Sequence, residues 1–351
     1  MSFVTKPRII HKSLKRNALG LTVRDYEGVA TTLCAGCGHD SITAAIVQAF
    51  WELDMPAQQV AKMSGIGCSS KTTGYFLSAA HGVNSVHGRM PSVTTGANAA
   101  RRDLTYIGIS GDGDSMSIGL GQFAHVIRRN LDMLYMVENN GVYGLTKGQF
   151  SATADKGSSS KKGVANSDSP IDTASLALLM GASFVGRSFS GDKQQLVPLL
   201  KAALNHPGFA LVDVISPCVT FNNTAASTKS YEFVRDHAEA TGTVDFVPMR
   251  QEITTSSRPG AAHEVTMHDG SVLRLYEDAD TLNPFDRRSA MLALMDNQAD
   301  GTILTGLIYL DKNSRDLHDV LETSHRPLNQ LEEGELCPGN KMLVNINASL
   351  R

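Results

Sequence analysis

Five cysteines lie in a chain of 351 residues, and two of them stand three apart in L-C-A-G-C-G-H. These are Cys34 and Cys37. Cys68 follows in G-I-G-C-S-S-K, Cys218 in S-P-C-V-T and Cys337 in E-L-C-P-G. An odd, sparse set is no disulfide framework. In a reducing compartment such cysteines bind metal or do redox work. A thioredoxin-like pair would use the first two and leave Cys68 and Cys218 idle. Four thiolates suit a tetrahedral zinc or an iron–sulfur cluster, and spacing does not separate the two. Cys337 lacks the pattern and reads as a spare thiol.

The second constellation is G-D-G-D at 111–114 with N-N at 139–140. Asp112 offers a carboxylate and Asn140 an amide oxygen. A hard divalent cation such as Mg²⁺ takes one or two such ligands and completes its shell with phosphate oxygens and water. Gly111 and Gly113 allow a phosphate close to the backbone. An EF-hand does not fit, because Met116 and Ser117 stand where that loop needs a ligand and its glycine. Asp114 reads as a first-turn carboxylate facing a helix dipole.

These residues need elements to hold them. T-Y-I-G-I-S (105–110) reads as a strand entering G-D-G-D, a helix is expected from about Ser117 to Arg129, and the apolar run 131–137 reads as a strand buried on both faces. This β-α-β unit puts Asp112 and Asn139/Asn140 on the same sheet edge, within ~5–10 Å if the strands are neighbours. Ligands bind outside that edge. The helix would aim its positive end at the same place. Ahead of it, Ile42, Ala45, Ile46, Ala49 and Phe50 form one helical face, capped at Asp40 or Ser41, and 58–64 reads as a short strand ending in the Cys68 loop. Helices at 172–180 and 191–204 alternate with strands at 183–186 and 209–215. Residues 150–170 read as a long functional loop. Residues 264–276 read as a hairpin turning at Asp269-Gly270. The expected fold is α/β, a mostly parallel sheet with helices on both faces, with a cofactor domain over 1–240 and a C-terminal appendage over 241–351.

G-D-G-D…N-N resembles the thiamine-diphosphate signature. The longer stretches G-D-G-D-S-M-S-I-G, N-N-G-V-Y-G-L-T-K-G-Q, C-A-G-C-G-H, G-I-G-C-S-S-K, H-G-R and S-P-C-V-T-F-N resemble, in order, the β subunit of 2-oxoacid:ferredoxin oxidoreductases. The resemblance runs from about 34 to 223. It implies a thiamine-diphosphate-binding fold. Asp112, Asn140 and the Val142 carbonyl would hold Mg²⁺ against the diphosphate. Gly111, Gly113, Asp114, Gly144 and Leu145 would line the cofactor, with His87 nearby, although from the sequence alone a capping or core role is the simpler reading of a lone histidine. It also tips Cys34, Cys37, Cys68 and Cys218 from zinc to a [4Fe–4S] cluster. The implied reaction is oxidative decarboxylation of a 2-oxoacid, with coenzyme A taking the acyl group and ferredoxin the electrons. No second thiamine domain fits in this length, so an α subunit would supply the activating glutamate, in an (αβ)₂ assembly.

Lys71 and Lys147 stand in the loops of this site, three residues after Cys68 and seven after Asn140. A point-charge ammonium suits a second carboxylate, which favours 2-oxoglutarate over pyruvate; solvated lysines, or ones meeting phosphate or coenzyme A, are the plain alternative. Net charge is −3, which argues against a general nucleic-acid binder. No apolar run reaches membrane-spanning length and no signal-peptide core follows the basic start, so a cytoplasmic chain is expected. Two other classes stand against this reading: a thiamine enzyme without redox chemistry, and a zinc-stapled, non-catalytic subunit.

Overall fold

The structure is a computed structural model. It describes residues 11–350 apart from 160–162, 225, 242, 248–261, 267–271, 277–281 and 338. The strands in chain order are β1 (Val60–Ser64), β2 (His81–Asn84), β3 (Thr105–Gly111), β4 (Met133–Asn139), β5 (Val142–Tyr143), β6 (Gln149–Phe150), β7 (Phe184–Phe189), β8 (Phe209–Ile215), β9 (Ala238–Ala240), β10 (Thr243–Val247), β11 (Ala262–Thr266), β12 (Val272–Tyr276) and β13 (Ile303–Leu310).

Among the described residues, eight of these make one sheet, in the order β2-β1-β3-β4-β8-β7-β13-β9. Every pairing is parallel except β7 with β13. The seven residues of β4, M-L-Y-M-V-E-N, are all buried, as a central strand covered on both faces requires. Helices α1 (Gly38–Glu52), α2 (Met90–Ala100), α3 (Leu120–Arg128), α4 (Thr173–Met180), α5 (Lys193–Leu204), α6 (Tyr231–His237), α7 (Arg287–Asp300) and α8 (Leu317–Leu321) complete the layers. Ile42, Ala45, Ile46, Ala49 and Phe50 of α1 pack with α5 in one core. Phe123, Val126 and Ile127 of α3 join α4 and α7 in the other. Each large side chain so buried contributes about 1.5–3 kcal/mol.

Two helix starts differ from the sequence reading. The first helix begins at Gly38, with Cys37 in the cap position, not at Asp40 or Ser41. The C-A-G-C turn runs straight into it: the Cys37 N–H donates to the Cys34 carbonyl at 3.0 Å and the Asp40 N–H to Cys37 at 3.2 Å. The second begins earlier than Ser117, as a wide π turn over Gly113–Ile118 that follows Asp112 directly. The Gly119 N–H closes this turn on the Asp114 carbonyl at 2.8 Å, and α3 continues from Leu120.

The segment expected as an appendage is woven into the sheet. β13 lies between β7 and β9, so the sheet crosses the boundary expected at 240. Val244 and Phe246 of β10 join the α1/α5 core. β11 and β12 pair antiparallel, with Thr266 opposite Val272, as a hairpin demands. Its turn at Asp269-Gly270 lies outside the described residues.

Candidate functional site

The parallel strands set the site. β1, β3, β4 and β8 are adjacent and point the same way. Their carboxyl ends therefore deliver four loops to one rim: 65–68 with Cys68, Asp112, Asn139-Asn140, and 216–218 with Cys218. A narrow cleft opens there. Its walls include Cys68, His87, Gly111, Asp112, Gly113, Asp114, Asn140, Val142, Gly144 and Leu145. Thus every residue the sequence assigned to a diphosphate and its cation lies on one cavity. Lys71 and Lys147 do not line it; Lys147 is exposed, with a positive φ of 79°, and Lys71 is close enough to Cys68 to favour its thiolate.

Asp112 is 1% exposed. Its carboxylate accepts the Asn140 N–H at 3.2 Å on Oδ1 and the Gly141 N–H at 3.1 Å on Oδ2. The Asn140 side-chain oxygen accepts the Val142 N–H at 3.1 Å. The Asp112 carboxylate, the Asn140 amide oxygen and the Val142 carbonyl are hard donors, one anionic and two neutral. Among the described residues no three His, Cys, Asp or Glu are grouped to hold a metal ion. A cation here would need phosphate oxygens and water to complete its shell, which suits Mg²⁺ bound with a diphosphate. Gly113 serves packing as much as access: a Cβ there would come within 2.6 Å of the Tyr143 ring, whose hydroxyl donates to the Gly113 carbonyl at 2.8 Å.

Asp114 does more than face a dipole. It is buried, accepts the Ser110 hydroxyl at 2.8 Å and the Gly88 N–H at 2.9 Å, and meets His87 Nδ1 at 2.5 Å. It ties the H-G-R strap to the cleft.

The four cysteines of the sequence reading converge at one end of the rim. Cys68 and Cys218 sulfurs both lie beside Gly144, 3.4 and 3.6 Å from where its Cβ would stand. Cys34 is felt electrostatically by Cys68 and Cys218, and Cys218 by Cys37. Burial pushes the Cys37 thiol up to about 12. Backbone N–H groups of Thr220, Phe221 and Asn222 point at the Cys218 sulfur, and that of His39 at Cys37. N–H groups directed toward sulfur are a feature that iron–sulfur ligation uses. Cys337 is exposed.

Two buried groups on the same cleft escaped the sequence reading. Glu138 is fully buried, and burial raises its carboxyl well above the usual range. His39 Nε2 lies 3.5 Å away, and burial lowers this imidazole to about 4. His39 Nδ1 contacts the Ser216 hydroxyl at 2.6 Å. The signal was a glutamate in the strand M-L-Y-M-V-E-N, costly to bury without a hydrogen bond; the Thr72 hydroxyl donates to it at 3.1 Å.

Residues 65–214 match the family described as the C-terminal thiamine-pyrophosphate-binding domain of thiamine pyrophosphate enzymes. The β subunit of 2-oxoacid:ferredoxin oxidoreductase 1 from Aeropyrum pernix is 42% identical over 204 residues, 58% of this chain and 62% of that one. The 2-oxoglutarate synthase subunit KorB of Archaeoglobus fulgidus is 34% identical over 55% of this chain and 72% of its own. The solved 2-oxoglutarate:ferredoxin oxidoreductase of Magnetococcus marinus, with 2-oxoglutarate, coenzyme A and succinyl-CoA bound, superposes with a TM-score of 0.70 at 30% identity, over 89% of this chain and 91% of the other. The match spans 62 to 65% of the length of three archaeal β subunits, the Aeropyrum one and two from Sulfolobus and Saccharolobus. No helix among the described residues is long and apolar enough to cross a membrane. Fold, site order and sequence agree: this chain belongs to the β subunits of the 2-oxoacid:ferredoxin oxidoreductases.

Proposed function

We propose that this chain is the β half of a 2-oxoglutarate:ferredoxin oxidoreductase. The enzyme would convert 2-oxoglutarate and coenzyme A to succinyl-CoA and CO₂ and give two electrons, one at a time, to ferredoxin. The observation that carries the reading is the single cleft joining Asp112, Asn140 and Val142 to Cys68. In it, Asp112, Asn140 and the Val142 carbonyl hold Mg²⁺, while Gly111, Gly113, Asp114, Gly144 and Leu145 border thiamine diphosphate. Cys34, Cys37, Cys68 and Cys218 ligate a [4Fe–4S] cluster. Thiamine diphosphate, when bound, supplies the ring that attacks the keto carbon and takes up the electron pair released with CO₂. A cluster on these cysteines would supply a one-electron acceptor for them.

The protein's own part is placement. The β3–β4 rim fixes the cation, and Gly144 keeps a side chain from coming between the cofactor cleft and two of the thiolates. Asp114 holds His87 over the cleft mouth. An α subunit, in an (αβ)₂ assembly, supplies the glutamate that activates the aminopyrimidine. The names of relatives favour 2-oxoglutarate: the Mycobacterium tuberculosis 2-oxoglutarate oxidoreductase subunit KorB is 41% identical over 191 residues. Lys71 and Lys147 are the cations proposed for the distal carboxylate. Pyruvate is the runner-up substrate, because the archaeal 2-oxoacid relatives match as well as the KorB ones do.

The test is an anaerobic assay of the co-produced α/β complex with coenzyme A and ferredoxin. We expect kcat/KM for 2-oxoglutarate to exceed that for pyruvate at least tenfold, and Lys71→Ala or Lys147→Ala to erode that preference. Equal use of both substrates, or full preference in both variants, removes the substrate assignment.

A further inference from the structure

Asp112 can serve a cation only if one carboxylate oxygen faces the cleft and stays there. The hydrogen bonds around it are unequal. Oδ2 accepts the Gly141 N–H at 3.1 Å, the Thr153 hydroxyl at 2.6 Å and the Ser151 hydroxyl. Among the described residues Oδ1 accepts only the Asn140 N–H, at 3.2 Å. An ionised carboxylate has about four lone-pair sites over its two oxygens. Three donors therefore saturate Oδ2 and leave Oδ1 with capacity for a cation.

Neither hydroxyl is there by chance. Both are buried, Ser151 at 6% and Thr153 at 1% exposure, and both come from the start of the segment the sequence reads as a loop. The β5–β6 ribbon, with Val142 opposite Phe150, brings that segment back beside Asn140. The Ser151 N–H then donates to the Gly141 carbonyl at 3.3 Å, and the Ala152 N–H to the Ser117 hydroxyl at 3.0 Å. Thr153 has one proton and three oxygens in reach, Asp112 at 2.6 Å, the Asn139 side-chain oxygen at 2.9 Å and Ser151 Oγ at 3.2 Å. The nearest acceptor is the charged one, and a charge-assisted bond is the stronger. Asn139 is itself held from behind, its amide donating to Asp213 at 3.1 Å, and Asp213 is paired with buried Arg187 at 3.0 Å.

We propose that Ser151 and Thr153 are positioning residues that lock Asp112 Oδ2 so that Oδ1 is presented to the divalent cation. This rests on the cofactor reading above. Without the two hydroxyls the carboxylate is free to turn, and part of the cation's binding is spent on restraining it. Loss of such outer partners commonly costs 10–100-fold in metal affinity.

The experiment is a Mn²⁺ titration of the co-produced α/β complex by electron paramagnetic resonance, with thiamine diphosphate present, alongside kinetics at varied Mg²⁺. Thr153→Val should weaken Mn²⁺ binding at least tenfold and raise the KM for thiamine diphosphate at limiting Mg²⁺. Saturating Mg²⁺ should restore kcat to within about threefold, and iron content should stay that of wild type. Thr153→Ser keeps the hydroxyl and should bind Mn²⁺ as wild type does. If Thr153→Val does not accumulate as a folded complex, Ser151→Ala removes the other hydroxyl and should itself weaken Mn²⁺ binding severalfold. Wild-type affinity in Thr153→Val, or in Ser151→Ala where that variant is the one that folds, overturns the proposal while leaving the cofactor reading intact. A wild-type complex that binds no Mn²⁺ with thiamine diphosphate overturns both.

Discussion

Gly141 shows how much the rim asks of single residues. It sits between the two proposed cation ligands, Asn140 and Val142, with φ at +74°. A side chain there meets two obstacles. The left-handed backbone costs an L-residue roughly 1–2 kcal/mol. A Cβ would also stand 2.8 Å from the Asn222 amide nitrogen, which donates to the Asn140 carbonyl at 2.9 Å. Gly141→Ala should therefore lower the melting temperature by a few degrees and weaken Mn²⁺ binding together; an unchanged melting curve would show that the turn is not under this constraint. At this scale the sequence was informative where chemistry is rare. A lone G-D-G before N-N and four cysteines in Gly/Ser/Pro loops are the features, legible by type and spacing, on which the proposed ligands rest. Ser151, Thr153 and Ser216 are ordinary residues that gain meaning only from a fold that brings them to Asp112 and His39. No periodicity encodes that.

Elements were legible where apolar pattern and length decide them, as in the α1 face and the seven-residue core of β4. Their ends were less so. The wide turn at Gly113–Ile118 and the early start at Gly38 carry no side-chain cap hydrogen bond, so no capping residue marks them in the sequence. The base of β4 offers a test of an element's electrostatics. Asp132 precedes the strand, and burial, helped by Asp316 and Asp319 of the α8 region, raises its carboxyl to about 7, against the Gly208 N–H and Arg102, which lower it. The folded state thus holds this proton more tightly than the unfolded chain. Its stabilising contribution is complete below the unfolded value near 3.8 and is lost as pH rises through about 7. Asp132→Asn should change stability little near pH 4 and raise it at pH 8 by on the order of 2–3 kcal/mol. Denaturant unfolding of the two proteins at both pH values measures this. A gain that is equal at pH 4 and pH 8 would contradict it.

On the scale of the whole molecule, the least legible feature was the return of the chain. β13 comes from the stretch that the sequence reading set apart as an appendage, yet it pairs antiparallel with β7 inside the sheet. The order of strands in a sheet is set by crossovers and cannot be read from local pattern, so the boundary at 240 dissolved while the β-α-β unit around Asp112 and Asn140 stood. What the molecule brings together is a hard-oxygen rim and four cysteines, on neighbouring loops, in a chain that we propose holds half of its cofactor site. The most direct measurement is electron paramagnetic resonance of the anaerobically isolated α/β complex, with Mg²⁺, thiamine diphosphate and coenzyme A present, before and after 2-oxoglutarate is added without ferredoxin. The account predicts about four iron per β chain, no zinc, and a reduced-cluster signal that grows on substrate addition and disappears in Cys218→Ser. Zinc in place of iron, or an iron cluster that stays oxidised with every component present, would contradict it.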